Sequence, residues 1–327
     1  MGVKELNPFL REHSPEAITE TLLKDFSGKK IAIDTSIYFY KFLYKNDRFL
    51  EGFFQQIYRL RVNNMIPIYI FDGIPPPEKN KTLQQRRERK DDIKNNIKEL
   101  EVIKTDCEDS EEKMKCSVEI SRLQKKLVRV TSENIQDLKN MLTMMNIQFI
   151  QSVGEADLVC GKLCKDGIVD MVLSDDMDLL TSGARIVLRN FFIGTSKIMC
   201  YDLDKILHKL NFTNDQWIDF CILCGCDYCD RIHGLGTKNS LKLITAHGDV
   251  PTILNIIKEK YNIPADYLEK YNKAKTIFNN NTIELDFEYN AIKHPGFIGV
   301  DNIINLLKER TNLTERQILN RVGVIYQ

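Results

Sequence analysis

Three short apolar runs in this chain each end on aspartate, and that repetition limits the folds open to it. They are Ile31-Ala32-Ile33-Asp34, Ile68-Tyr69-Ile70-Phe71-Asp72 and Met171-Val172-Leu173-Ser174, the last running into Asp175-Asp176-Met177-Asp178. Runs of this kind, rich in β-branched and aromatic residues and lying between stretches of helical pattern, predict buried strands of a parallel sheet. Such sheets bind ligands in the crevice beyond the carboxyl ends of their strands, so the aspartates converge there. Gathered carboxylates repel one another unless a multivalent cation offsets them, and hard Mg²⁺ suits an all-oxygen site. The pattern predicts a metal-dependent phosphoryl-transfer centre.

The 327 residues, 43% of them hydrophobic, suffice for one large domain or two. No uncharged apolar stretch is long enough to span a bilayer, and the opening is too charged for a secretory signal. Leu6 stands where a myristoylation signal needs Ser or Thr. A soluble intracellular chain without a membrane partner is expected. Lys plus Arg equals Asp plus Glu, 46 each, so net charge gives no support to nucleic-acid binding. Its distribution is uneven. Lys79, Lys81, Arg86, Arg87, Arg89, Lys90, Lys94 and Lys98 dominate one segment, and Arg122, Lys125, Lys126 and Arg129 another, with acids from Glu108 to Glu112 between them. Taken alone, a charge run of this kind is a solvated helical surface. Nine cysteines, an odd number, point to reduced thiols in the cytosol or nucleus. Cys221, Cys224, Cys226 and Cys229 interleave two C-x-x-C pairs, but without the long loop that separates the pairs of a zinc site. They are expected as small buried hydrophobes, like Cys160 and Cys164.

Strands are expected over 29–34 and 67–72, with a helix between them carrying Phe53, Phe54, Ile57, Tyr58 and Leu60. Pro75-Pro76-Pro77 then stops regular structure. Residues 79–130 are charged, poor in aromatics and helical in propensity, which predicts a projecting helical pair with an acidic tip at 105–115. A second α/β portion follows: a helix over 132–145, a strand at 148–151, a helix after Gly154, the 171–174 strand, and 185–191. From Asn214 the pattern becomes helix, tight loop, helix, with Gly234-Leu235-Gly236-Thr237-Lys238 in the middle. Thr314 and Gln317 form a capping box near the end.

Asp176 and Asp178 are two apart where a strand ends, and alternation in extended chain puts both on one face, with Asp175 and Met177 opposite. Glu155 and Asp157 share that spacing at a helix start. They can meet one site only from the first turn, where the positive dipole end favours carboxylates. Singly, each pair could be an ordinary cap or surface acid. Their coincidence with Asp34 and Asp72 makes a site.

MGVKEL, IAIDTSIYFYKFL, IYIFDGIPPPEK, GEADLVCGKL, SDDMDLLTSG and CILCGCDYCDRIHGLGTK together closely resemble, in order, the structure-specific 5′ nuclease superfamily, and most of all the flap endonucleases. The resemblance implies a PIN-like α/β nuclease fold: a mostly parallel central sheet flanked by helices, with a helical arch and a helix–two-turn–helix DNA-binding element. It implies one nuclease domain over 1–327, with an N-terminal nuclease region at 1–104, the arch at 79–130, an internal nuclease region at 122–213, and the helix–two-turn–helix with a C-terminal wrap at 214–327. It also implies seven metal ligands, Asp34, Asp72, Glu155, Asp157, Asp176, Asp178 and Asp227. These would hold two Mg²⁺ ions, with Mn²⁺ able to substitute, that cut DNA near a junction of double and single strands. Two such ions about 4 Å apart activate water and neutralise the leaving oxygen without a His or Lys base.

Lys79 and Arg86 match residues directed at the scissile phosphate, and their i, i+7 spacing puts them on one helix face. Tyr40 matches an aromatic that stacks a base, where core packing would otherwise be expected. Gly234, Gly236 and Lys238 fall in the element that grips duplex backbone, together with a potassium ion. Its glycines let amides approach a phosphate at a helix N-terminus. Branched or 5′-flap DNA is the implied partner, acted on by a monomer in the nucleus or another site of replication.

The chain departs from the flap endonuclease pattern in three places. Asp157 makes Glu-Ala-Asp, as in the exonuclease branch, and Thr237 replaces a proline. The ending Arg321-Val322-Gly323-Val324-Ile325-Tyr326-Gln327 lacks a basic tail and clamp motif, which argues against tail-mediated sliding-clamp recruitment. The rival readings are a 5′ exonuclease or junction resolvase on the same fold, a non-catalytic DNA-binding scaffold, and an aspartyl-phosphate phosphatase. The last needs D-x-D, which Asp34-Thr35-Ser36 lacks.

Overall fold

The computed structural model describes residues 2–45, 49–279 and 300–325. Seven strands among them form one sheet: β1 (Ile18–Leu22), β2 (Lys30–Asp34), β3 (Ile66–Phe71), β4 (Gln148–Gln151), β5 (Met171–Leu173), β6 (Ile186–Arg189) and β7 (Lys197–Asp202), in the order β1-β7-β6-β5-β2-β3-β4. The five strands from β6 to β4 are parallel, β7 is antiparallel to β6, and β1 is antiparallel to β7.

Alternation along the strands divides the interior in two. Ala32, Ile68, Ile70, Val172 and Val187 point into one core, which the Ala156–Lys165 and Asn214–Cys224 helices help to fill. Ile31, Ile33, Tyr69, Phe71, Leu173 and Leu188 point into the other, closed by the Thr35–Lys45, Phe49–Val62, Ser132–Met144, Val300–Arg310 and Glu315–Ile325 helices. This period of two is the geometry of a pleated strand covered on both faces. From β2 the chain adds β3 and β4 on one side, then returns to add β5 and β6 on the other. The crevice of such a sheet opens at that reversal, between the carboxyl ends of β2 and β5.

The charged segment forms two antiparallel helices, Asn80–Asp106 and Ser110–Lys126, joined by three residues. The first is about 40 Å long at 1.5 Å per residue. Asp109 caps the second by accepting the Glu111 amide at 2.9 Å. Ile97, Ile120 and Leu123 are the buried apolar centre of this pair, and they belong to neither main core.

Two features differ from the expectations. Two helices rather than one separate β2 from β3, because the Thr35–Lys45 helix starts on the residue after Asp34. The antiparallel strands β1 and β7 lie outside the expected elements, although β7 carries a short apolar run, Ile198-Met199-Cys200-Tyr201. β1, Ile-Thr-Glu-Thr-Leu, is a half-exposed sheet edge, where polar residues discourage further pairing. All nine cysteines are free, and Cys221, Cys224, Cys226 and Cys229 are buried as expected. Thr314 and Gln317 form their capping box. Of the C-terminal region, residues 280–299 and the closing Tyr326 and Gln327 lie outside the described residues.

Because the helical pair has its own small core, Ile120→Ala should remove about 2–4 kcal/mol locally. Hydrogen exchange should then speed up across residues 93–127 while the main thermal transition stays in place. A matching fall in that transition would show instead that the pair unfolds together with the sheet.

Candidate active site

A cavity of about 330 Å³ opens at the reversal point. Asp34 reaches it from the end of β2, Asp72 from the residue after β3, Glu155 and Asp157 from the loop and helix after β4, Asp176 from the turn after β5, and Asp227 from the loop after the Asn214–Cys224 helix. Lys79, Arg86 and Tyr40 line the same space, with Tyr40 half exposed. Asp178 does not line it and is buried. Six of the seven predicted ligands thus share the cavity wall, and the seventh hydrogen-bonds to Asp176, one of the six.

Local backbone explains each placement. Glu155 is the N-cap of the Ala156–Lys165 helix and Asp157 lies in its first turn, which is how residues two apart come to face one space. The Ala156 amide donates to Asp72 Oδ1 at 2.7 Å, tying the β3 and β4 loops together. Asp176 and Asp178 converge for a reason other than the one expected. The strand ends at Leu173, and Asp178 opens a short helix, Asp178–Thr181. The Asp178 amide donates to Asp176 Oδ1 at 3.1 Å, so a turn rather than extended chain brings them together. Asp175 points away, accepting from Lys41 Nζ at 3.1 Å and from the Asn190 amide at 2.7 Å. Lys79 ends a 3₁₀ turn, Pro77–Lys79, instead of lying on the helix with Arg86. Both still reach Asp227 Oδ2, at 3.3 Å from Lys79 Nζ and 2.8 Å from Arg86.

The electrostatics are unbalanced toward negative charge. Burial, then Asp72 and Asp176, push the Asp34 carboxyl up to about 7. Burial and the neighbouring Glu155 raise Asp157, partly offset by Lys79. Burial, then Asp176 and Asp227, raise Asp178. Lys79 is itself raised: burial opposes its charge, but Asp157, Glu155 and Asp227 outweigh that. Its ammonium donates to Glu155 Oε1. The donor set is all oxygen and short of positive charge, so it fits hard divalent cations. Among the described residues no three such groups close into a preformed cage. Like charges separate, and hydrogen bonds to Lys79, Arg86, Ser36 and Val3 hold individual carboxylates.

Several supporting residues escaped the sequence reading. Ser174 donates to Asp34 Oδ2 at 2.9 Å and accepts from the Asp176 amide at 3.1 Å, while Ser36 donates to Asp72. Both serines sit within two residues of a predicted ligand, a local signal that could have found them. Tyr228 donates to Glu155 Oε2 at 2.5 Å. At the N-terminal end, the Val3 amide donates to Asp178 Oδ1 at 2.5 Å. Gly2 has φ +84°, and a Cβ there would fall 2.3 Å from Asp176 Oδ1, so only glycine fits.

The structure puts Gly234, Gly236 and Lys238 outside the cavity, at the loop and helix start before Thr237–His247. Gly234 has φ +80°, and Gly236 faces open space at the helix N-terminus. Lys238 pairs with Glu12 at 2.7 Å, both ends well exposed. An exposed pair of this kind contributes little and exchanges readily.

Residues 1–93 match the XPG N-terminal domain and residues 146–227 the XPG I-region. Flap endonuclease 1-A of Sorghum bicolor is 37% identical over 305 residues, covering 88% of this chain and 77% of that protein. The chain belongs to the flap endonuclease family. The flap endonuclease-1 structure from Methanococcus jannaschii shares this family fold with a TM-score of 0.66 and 23% identity, over 99% of this chain and 98% of that one. The catalytic core of Rad2 in complex with DNA substrate matches with a TM-score of 0.66 and 21% identity, covering 100% of both chains. The chain is therefore a nuclease with a PIN-like fold. No helix among the described residues is long and apolar enough to cross a membrane.

The raised Asp34 carboxyl has a definite consequence for stability. Between the ordinary value of 3.8 and about 7, the folded chain holds a proton that the unfolded chain releases. In chelator, stability should therefore fall as pH rises through that interval, on the order of 4 kcal/mol for this one group, and level off above it. Asp157 and Asp178 act in the same direction. Urea unfolding across pH should show a shallower decline in Asp34→Asn and in wild type saturated with Mg²⁺. An unchanged decline in both would refute this electrostatic account.

Proposed function

We propose that the chain is a structure-specific 5′ flap endonuclease, with 5′–3′ exonuclease activity, that hydrolyses DNA at junctions of single and double strand during replication and repair. The observation that carries this reading is the single cavity in which Asp34, Asp72, Glu155, Asp157, Asp176 and Asp227 face Lys79 and Arg86. With Asp178, these acids would hold two Mg²⁺ ions, or Mn²⁺ in their place. When bound, such ions lower the pKa of water and offset charge on the phosphate.

The chain's own residues supply positioning. Arg86 and Lys79 stand at the foot of the Asn80–Asp106 helix and would orient the scissile phosphate and stabilise charge developing on it. Tyr40 offers a half-exposed ring for an unpaired base, a contact worth about 1–3 kcal/mol. Gly234, Gly236 and Lys238 would hold duplex backbone at the Thr237–His247 helix start, where a potassium ion is expected, without reading sequence. The 5′ strand passes under or through the arch. We assign one nuclease domain, with the arch at 79–130 between N-terminal and internal nuclease regions and the helix–two-turn–helix from 214 onward. The enzyme would act as a monomer in the nucleus or another site of replication.

A product-size assay on flap, nicked, bubble and four-way substrates with Mg²⁺ tests the subclass. A flap enzyme releases one oligonucleotide, an exonuclease mononucleotides. Asp178→Ala should reduce cleavage by orders of magnitude and leave flap affinity, measured in Ca²⁺, within a few-fold. Unchanged turnover would remove the metal assignment. Lys238→Ala should weaken binding and flatten its salt dependence by about one phosphate contact; an unaltered slope would count against the helix–two-turn–helix as the duplex grip.

A further inference from the structure

Tyr228 follows Asp227 in the loop between the Asn214–Cys224 and Thr237–His247 helices, and it is buried. Its hydroxyl donates to Glu155 Oε2 at 2.5 Å, while Lys79 donates to Oε1. Each oxygen of Glu155 therefore meets one protein donor and keeps acceptor capacity for another partner. The Tyr228 ring meets Phe278 edge to face, with centroids 5.3 Å apart and planes at 69°. Phe278 belongs to the Tyr267–Asn279 helix. The Lys79 ammonium lies 5.9 Å from the Tyr228 centroid. One side chain thus touches a predicted metal ligand, a phosphate-directed lysine and a C-terminal helix.

We infer that Tyr228 is a positioning residue, which sets the orientation of the Glu155 carboxylate for a divalent cation and fixes that orientation to the Tyr267–Asn279 helix through Phe278. The inference rests on the two-metal reading of the cavity. A phenol suits this role because it donates one hydrogen bond without adding positive charge that would compete with a cation. The ring needs a packing partner, since a tyrosine free to change rotamer would carry Glu155 with it. Phe278 is that partner. Hydrogen-bonding partners behind a metal ligand commonly change affinity or activity 10–100-fold when removed.

The test is calorimetric titration of the whole chain with Mg²⁺ alone, without DNA, alongside thermal unfolding in chelator. Tyr228→Phe keeps the ring and its contact with Phe278 and removes only the hydroxyl. It should weaken Mg²⁺ binding about 10-fold. Cleavage should follow, with a higher half-saturating Mg²⁺ concentration and a smaller change in the maximal rate. Packing alone would leave the Mg²⁺ midpoint where it is. Phe278→Leu, which loosens the ring without touching the hydroxyl, should shift the midpoint the same way by less, and it decides the matter if Tyr228→Phe does not fold. Equal or tighter Mg²⁺ binding by the folded variants, beside wild type that binds, overturns the positioning role alone. Wild type that takes up no Mg²⁺ overturns the metal reading and this inference with it.

Discussion

Mutual repulsion among buried carboxylates is the constraint around which this molecule is arranged. The reversal between β2 and β5 brings acids from five separate chain segments to one crevice, where burial first, and then the charge of neighbouring acids, raises Asp34, Asp157 and Asp178. A chain folding only for stability would not collect them, because a buried unpaired charge is costly. The two main cores hold the strands in place while the strand ends carry this electrostatic load. Such concentration of perturbed acids in one cleft is the physical signature of a functional site.

The foot of the Asn80–Asp106 helix answers that load. Lys79 and Arg86 contact Asp227 from the foot of the pair, Thr82 donates to the Asp227 carbonyl at 3.0 Å, and Lys81 pairs with Asp230. Four residues between positions 79 and 86 thus engage one loop, and that loop also carries Tyr228. The foot of the helical pair, the clustered acids and the loop before the Thr237–His247 helix are in direct contact. By contrast, the distal arch is held by a few aliphatic residues.

Much of this was legible before any coordinates. Strand-end aspartates marked β2, β3 and β5, because buried parallel strands read as continuous apolar runs. The helical pair was legible from charge and propensity, and β4 from a short run after a helix. The edge strand β1 was not, since Thr19, Glu20 and Thr21 satisfy a solvent-facing edge and leave no apolar period. The convergence of Asp176 and Asp178 was foreseen with the wrong backbone, because a turn and a strand can both bring residues two apart to one side. Val3 and Gly2 were invisible as site residues, whereas Tyr228 stood next to the predicted ligand Asp227. Their roles depend on segments distant in sequence, such as the 175 positions between Val3 and Asp178, and no local pattern encodes that contact.

On the proposed mechanism, the same residues must serve two opposite charge states. DNA phosphates cannot approach a crevice lined by acids until cations reverse its sign. Lys79 and Arg86 are shared between the two states: they neutralise Glu155 and Asp227 in the structure described here, and they face a phosphate once cations take over that task. Long cationic side chains at the foot of a helix suit this exchange, because they can redirect their heads while their backbone stays fixed. The short serines on Asp34 and Asp72 hold their carboxylates by neutral hydrogen bonds that need not break when a cation arrives. The division is by reach and charge. On that mechanism, neutral donors would keep the carboxylates oriented throughout, and the long cationic side chains would pass from carboxylate to phosphate.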